Sequence, residues 1–124
     1  MARLARRLAL LLAVAVAGAT LSACGTGGAV ADARASCRYV THALDLQRRS
    51  EQPGISSSQK ALLEANAMSE LLKATPRASE ATSIDGSWNP LMTTINEAER
   101  VPLANLVASL TRLCKVANSS TPYL

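Results

Sequence analysis

Pro102-Leu103-Ala104-Asn105-Leu106-Val107-Ala108-Ser109-Leu110-Thr111-Arg112-Leu113-Cys114-Lys115-Val116-Ala117 is the most regular stretch of the chain. Leu103, Leu106, Val107, Leu110, Leu113, Cys114 and Ala117 recur at spacings of three and four, which gathers them on one side of a 3.6-residue helix. Pro102 suits the start of such a helix, because its fixed φ is already helical and its missing N–H had no partner there. One amphipathic helix of this kind needs others to cover its apolar stripe, so the rest of the chain is read for helices that do so.

Working back from it, Asn89-Pro90 reads as a cap and first-turn proline for a short helix with apolar positions Leu91, Met92, Ile95 and Ala98. Ser56 with Gln59 three residues on reads as a capping box, opening a helix to about Ala74. On that helix Ala61, Leu62, Ala65, Met68 and Leu72 share one face and Leu63, Ala67 and Leu71 another, so packing on both sides is expected. Thr75-Pro76 is expected to end it, with Pro76 starting a separate short turn before the loop at Asp85-Gly86. Gln52-Pro53-Gly54 breaks the chain from a first helix over about Ala29 to Arg49, where Ala33, Cys37, Val40 and Leu44 repeat at helical spacing. No stretch alternates in the manner of a strand. The expected fold is all-α, a small four-helix bundle over residues 29–124.

The 124 residues leave room for a single small domain. The formal charge of +4 is unevenly placed: Arg3, Arg6 and Arg7 stand at the start without acids, and the remainder carries ten Lys and Arg against nine Asp and Glu. A near-neutral remainder gives no clustered basic face to hold phosphates, and with no Phe, one Trp and two Tyr there are no base-stacking platforms. No nucleic-acid partner is expected.

The first 23 residues read as an export signal: a cationic Met1 to Arg7, an apolar run from Leu8 to Ala17, then small residues. The run is short of the roughly 20 apolar residues of a permanent span; the competing reading is a transmembrane anchor over Leu8 to Ala23. Leu21-Ser22-Ala23-Cys24 resembles the lipobox of bacterial lipoproteins, in which a Leu three residues before an invariant Cys is followed by two small residues. The resemblance implies a precursor cleaved before Cys24, with a diacylglycerol on that thiol and anchorage on the outer face of the cytoplasmic membrane. It covers residues 1–24 and implies location, not activity. The Ala- and Arg-rich remainder is similar to that of small helical lipoproteins of high-GC actinobacteria. Residues 24–28, Cys24 and Gly25-Thr26-Gly27-Gly28, read as the lipidated cysteine and a flexible tether too short to lift the domain far from the bilayer.

With Cys24 assigned to the lipid, Cys37 and Cys114 are left as a pair. In an oxidising compartment the simplest reading is one disulfide stapling the first helix to the last, since both lie on apolar faces. Two buried reduced thiols are the alternative.

Chemistry is scarce elsewhere. The single histidine, His42, excludes most metal and triad arrangements, and no metal ligand set or catalytic residue is assigned. Asp45, one turn on, is placed to hold the ring if His42 has an acid–base role, against the simpler reading of a surface histidine. Glu97 with Glu99, and Glu64 with Glu70, do not share a face as paired carboxylates require. Tyr39 and His42, one turn apart, could reach one ligand, and this weak ligand-binding pair is similar to what small exported haem-capturing helical proteins use. Gly25 to Gly28 follows no strand and precedes no Walker lysine. Trp88 is expected to pack at the start of the third helix, and the Asn118-Ser119-Ser120 sequon carries no meaning in a bacterium.

The function expected from these residues is a membrane-anchored, extracytoplasmic lipoprotein, non-enzymatic and without a cofactor, whose helical surface meets an envelope protein or ligand. An exposed patch at Leu63 and Leu71 is one candidate surface, although burial against a neighbouring helix explains them equally well. A small-ligand carrier, for haem or a lipid, is the alternative, and an enzyme of unidentified class the second alternative.

Overall fold

The computed structural model describes residues 26–123; the expected signal segment, Cys24 and Gly25 lie outside the described residues. Four α-helices follow in order: α1 (Thr26–Ser50), α2 (Ser57–Ile84), α3 (Asn89–Glu97) and α4 (Val107–Ala117). A 3-10 turn at Gly86–Trp88 leads into α3 and another at Leu103–Asn105 into α4. There is no strand among the described residues, and the all-α four-helix bundle is the fold.

The two long helices form an antiparallel hairpin whose seam is made of small residues. On α1 the buried positions Ala29, Ala33, Ser36, Val40, Ala43, Gln47 and Ser50 alternate at spacings of four and three. On α2, Ala67, Leu71, Ala74, Ala78 and Ala81 do the same. This 3.5-residue repeat keeps one seam facing a partner helix over many turns. Small side chains let the two backbones come close enough for the Ser36 hydroxyl, fully buried, to donate to the Ala74 carbonyl at 2.9 Å. The hydroxyl is thereby satisfied inside the core.

The turn between them follows local chemistry. Gly54 takes φ +83°, a conformation closed to most side chains, and reverses the chain after α1. Ser56 then caps α2: its hydroxyl accepts from the Gln59 N–H at 3.2 Å, and the Gln59 side chain accepts from the Ser56 N–H at 3.3 Å. Arg48 and Arg49 in the last turn of α1 oppose the negative end of its dipole.

Several expectations are corrected here. Helix α1 starts at Thr26, ahead of Ala29, so Thr26–Gly28 form its first turn rather than part of a tether; Ala29 is fully buried, and fixing it on the seam carries that turn with it. Helix α2 does not stop at Thr75-Pro76 but runs through Pro76 to Ile84. Pro76 points to solvent, and the hydrogen bond that it lacks would have gone to the carbonyl of Leu72, an exposed residue. The buried alanines on either side of it, Ala74 and Ala78, hold the seam across the break.

Packing of α2 on both sides is also corrected. Ala67 and Leu71 are buried and Leu63 half-buried, but Ala61, Leu62, Ala65 and Leu72 are exposed. The candidate patch at Leu63 and Leu71 is therefore core, and the outward apolar residues are Leu62 and Leu72. Finally, Asn89 does not cap α3: the 3-10 turn continues directly into it, and the Asp85 carboxylate caps that turn by accepting from the Ser87 N–H at 3.0 Å. Pro90 does sit in the first turn.

Helices α3 and α4 close the bundle. Trp88, fully buried, anchors α3, with Leu91, Ile95 and Ala98 continuing its stripe. The Trp88 ring meets Tyr123 edge-on, centroids 4.7 Å apart, and its indole N–H has no hydrogen-bond partner among the described residues. On the α4 segment the buried residues are Leu103, Leu106, Leu110, Cys114 and Ala117, in the expected register, with Val107 and Leu113 half-buried at its edges. Cys37 and Cys114 are bonded, their Cα atoms 5.5 Å apart, within the ordinary range for a disulfide. The 77-residue separation spans most of the domain, for which loop closure contributes about 4 kcal/mol.

Candidate functional site

Helix α1 carries two polar flanks beside its seam, and the residues of interest divide between them. On the α2 side, His42 Nδ1 lies 3.1 Å from Glu70 Oε2, and the Lys73 ammonium donates to Glu70 Oε1 at 2.6 Å. The Lys73 ammonium holds the Glu70 carboxyl below its usual range, with a second contribution from His42. Glu70 in turn raises Lys73. Further toward the start of α1, Arg77 donates to Asp32 at 3.0 Å and Glu80 at 3.2 Å, and its pKa rises through the Asp32 bond first. Asp32, Glu70, Lys73, Arg77 and Glu80 on this flank each have an opposite neighbour.

The partner of His42 is thus Glu70 on the neighbouring helix, not Asp45 as expected. Asp45 is taken by Arg48, one turn along α1. Tyr39 is 38 % exposed and the His42 side chain 57 %, and neither of two cavities that His42 lines includes Tyr39. A glutamate oxygen beside one imidazole nitrogen and exposure to water suit a surface polar contact.

The other flank of α1 faces α4 and is built differently. A groove of about 750 Å³ runs between them, lined from α1 by Arg38, Thr41, Leu44, Asp45 and Arg48 and from α4 by Thr111, Cys114, Lys115 and Asn118, with His42 at its edge. Helical phase explains the lining, since residues 38, 41, 45 and 48 recur every three or four positions along one stripe. Arg34 continues the stripe at its near end, where its guanidinium donates to the carbonyls of Ala117 at 2.8 Å and Ser119 at 3.0 Å. That adds a donor for Ala117 at the C-terminal end of α4, where the Asn118 and Ser119 N–H groups already serve the carbonyls of Cys114 and Val116. Among the described residues, Arg34, Arg38 and Lys115 have no carboxylate within ion-pair distance, and the one acid in the groove is engaged by Arg48.

Glu70 was weighed from sequence only as a partner for Glu64, and Lys73 and the groove cations were not singled out. The signal for Glu70 was its i, i+3 pairing with Lys73; the signal for the groove was the Arg34, Arg38, Arg48 stripe, hidden by a near-neutral total charge. Among the described residues no group of three or more His, Cys, Asp or Glu is placed to hold a metal ion. None of their helices is long and apolar enough to cross a membrane. Comparison with known proteins finds no matching family model, no matching curated protein and no matching solved structure.

Proposed function

We propose that this chain is an extracytoplasmic lipoprotein, anchored to the cell membrane by acyl chains on Cys24, whose helical domain acts by binding rather than by catalysis. The observation that carries the reading is the order of Arg3, Arg6 and Arg7, the apolar run from Leu8 and Leu21-Ser22-Ala23-Cys24 at its end. A helical domain that starts at Thr26, two residues after Cys24, is consistent with it. Two acyl chains give stable anchorage where one gives only marginal binding. The cross-link between Cys37 and Cys114 fits the same compartment and leaves Cys24 as the thiol available for modification.

Mass spectrometry of the N-terminal fragment tests the reading directly, with a diacylglyceryl adduct on Cys24 and cleavage after Ala23 as the expected result. Cys24→Ala is expected to abolish the adduct and to leave the uncleaved precursor. An unmodified Cys24 in protein recovered from membranes overturns the proposal. The groove between α1 and α4 favours a carrier or receptor of a small ligand as the form that binding takes, since it is a cleft with polar groups converging from two helices.

A further inference from the structure

We infer that the groove between α1 and α4 binds phosphate-bearing headgroups of anionic phospholipid, which lays the domain on its α1–α4 side against the bilayer. The inference rests on the lipoprotein reading for its choice of source, and on the groove itself for its choice of chemistry.

The chemistry comes from charge and donor type. Arg38 and Lys115 reach the groove from opposite walls without a carboxylate partner among the described residues, whereas Lys73 and Arg77 on the other flank of α1 are each held by a carboxylate. Thr41, Thr111 and Asn118 add neutral hydrogen-bonding groups, so cations and hydroxyls converge on one space, as a tetrahedral oxyanion requires. The disulfide at Cys114 and the half-buried Leu44 give the floor an apolar surface against which the glycerol end of a headgroup can rest. With its one carboxylate, Asp45, engaged by Arg48, such a lining attracts an anion.

Geometry then sets the orientation. Only Gly25 separates Cys24 from Thr26 at the start of α1, a leash of two residue steps or about 7 Å when extended. Arg38 lies twelve residues into α1, about 18 Å along its axis at 1.5 Å per residue. A helix standing upright on the membrane would hold Arg38 beyond the roughly 8 Å over which surface charge acts at physiological salt. With α1 lying along the surface, Arg38, Arg48 and Lys115 all reach the headgroup layer, where basic side chains are favoured by the negative leaflet.

The test uses the processed, acylated protein in nanodiscs of phosphatidylcholine alone or mixed with phosphatidylglycerol, read by amide shifts of Thr41, Thr111 and Lys115. The expected result is a change at these positions in the anionic discs only. It diminishes with added salt and is lost in an Arg38→Glu, Lys115→Glu variant whose circular dichroism is unaltered. Identical spectra in the two kinds of disc, or a response that survives in the variant, overturns the inference. A saturable response to inorganic phosphate in neutral discs, equal to that in anionic ones, overturns the lipid source in favour of a soluble phosphate. Acylation is read separately by mass spectrometry. If Cys24 carries no lipid, the protein is sedimented with vesicles of the same two compositions, where the groove alone must still produce a preference for phosphatidylglycerol.

Discussion

The hydroxyl of Ser36 on α1 and the carbonyl of Ala74 on α2 are 2.9 Å apart in a fully buried seam. A serine side chain reaches only one atom beyond Cβ, so this bond sets how closely the two backbones approach. Ser36→Ala removes one buried donor from a carbonyl within a helix and is expected to cost about 1 kcal/mol. Ser36→Leu has nowhere to place three further carbons and is expected to cost about 1–3 kcal/mol or more. Urea denaturation of both variants checks the ranking, and a leucine variant as stable as the alanine one contradicts the close seam.

Leu71 and Leu72 are adjacent in sequence and differ fifty-fold in exposure, at 1 % and 51 %. Leu71→Ala is expected to cost about 2–5 kcal/mol through lost burial and an unfilled cavity. Leu72→Ala is expected to change stability by less than about 0.5 kcal/mol. Equal melting shifts would mean that the register of α2 is wrong.

Pro76 interrupts the hydrogen-bond ladder of α2 while its ring faces solvent. Pro76→Ala restores the donor to Leu72 and removes an interior proline, a change expected to stabilise the domain by about 1–3 kcal/mol. A smaller gain at the lower end of that range follows from the proline's restriction of the unfolded chain. A loss of stability on this substitution, measured by thermal melting, would show that α2 requires the break.

Reduction of the Cys37–Cys114 bond releases a constraint on most of the domain. The expected loss is about 4 kcal/mol, a large share of the stability of a domain this size. Thermal melts with and without reductant should differ by more than about 10 °C at that loss. Unreduced tryptic peptides should contain the two cysteines as one linked species.

The Glu70 cluster gives a pH dependence of known sign. Because Lys73 and then His42 lower the Glu70 pKa from its ordinary 4.5, the folded state binds this proton less readily than the unfolded chain. The cluster's contribution is present above the ordinary value and is lost as the pH falls through the lowered folded value. Lys73, raised from 10.5, contributes below that value and loses its part as the pH rises through the folded one. Glu70→Gln is therefore expected to flatten the stability profile on its acid side, by a modest amount because the group is open to solvent. Denaturant midpoints measured from neutral pH to pH 3 check this; parallel profiles for wild type and variant would remove Glu70 as a contributor.

Most of the fold was legible because its signals are local and repeat. The capping box at Ser56 and the stripe from Leu103 to Ala117 state their own conformation, and the phases of Cys37 and Cys114 bring them to a common core. Pro76 misled because a proline weakens a helix locally, whereas the seam alanines on both sides act over seven residues and outweigh it. The two faces of α2 were both visible, but Leu62 and Leu72 are as apolar as Leu63 and Leu71, and only the position of α1 decides which pair it covers. The groove was not legible for a different reason. Total charge is indifferent to place, and the meeting of Arg38 with Lys115 across one groove exists only once α4 has been set down beside α1.

The Cys37–Cys114 bond also fixes how the molecule responds to being cut. Any single backbone cleavage between these two residues leaves one covalent body, because each fragment remains tied through sulfur to the other. A protease attacking the turn at Gly54 or the loop after Glu97 would therefore release nothing while the bond is intact. One cut separates the α2–α3–α4 segment from the N-terminus only if it falls ahead of Cys37. The cross-link thus makes the α2–α3–α4 segment inseparable from the Cys37 turn of α1 for as long as its surroundings remain oxidising.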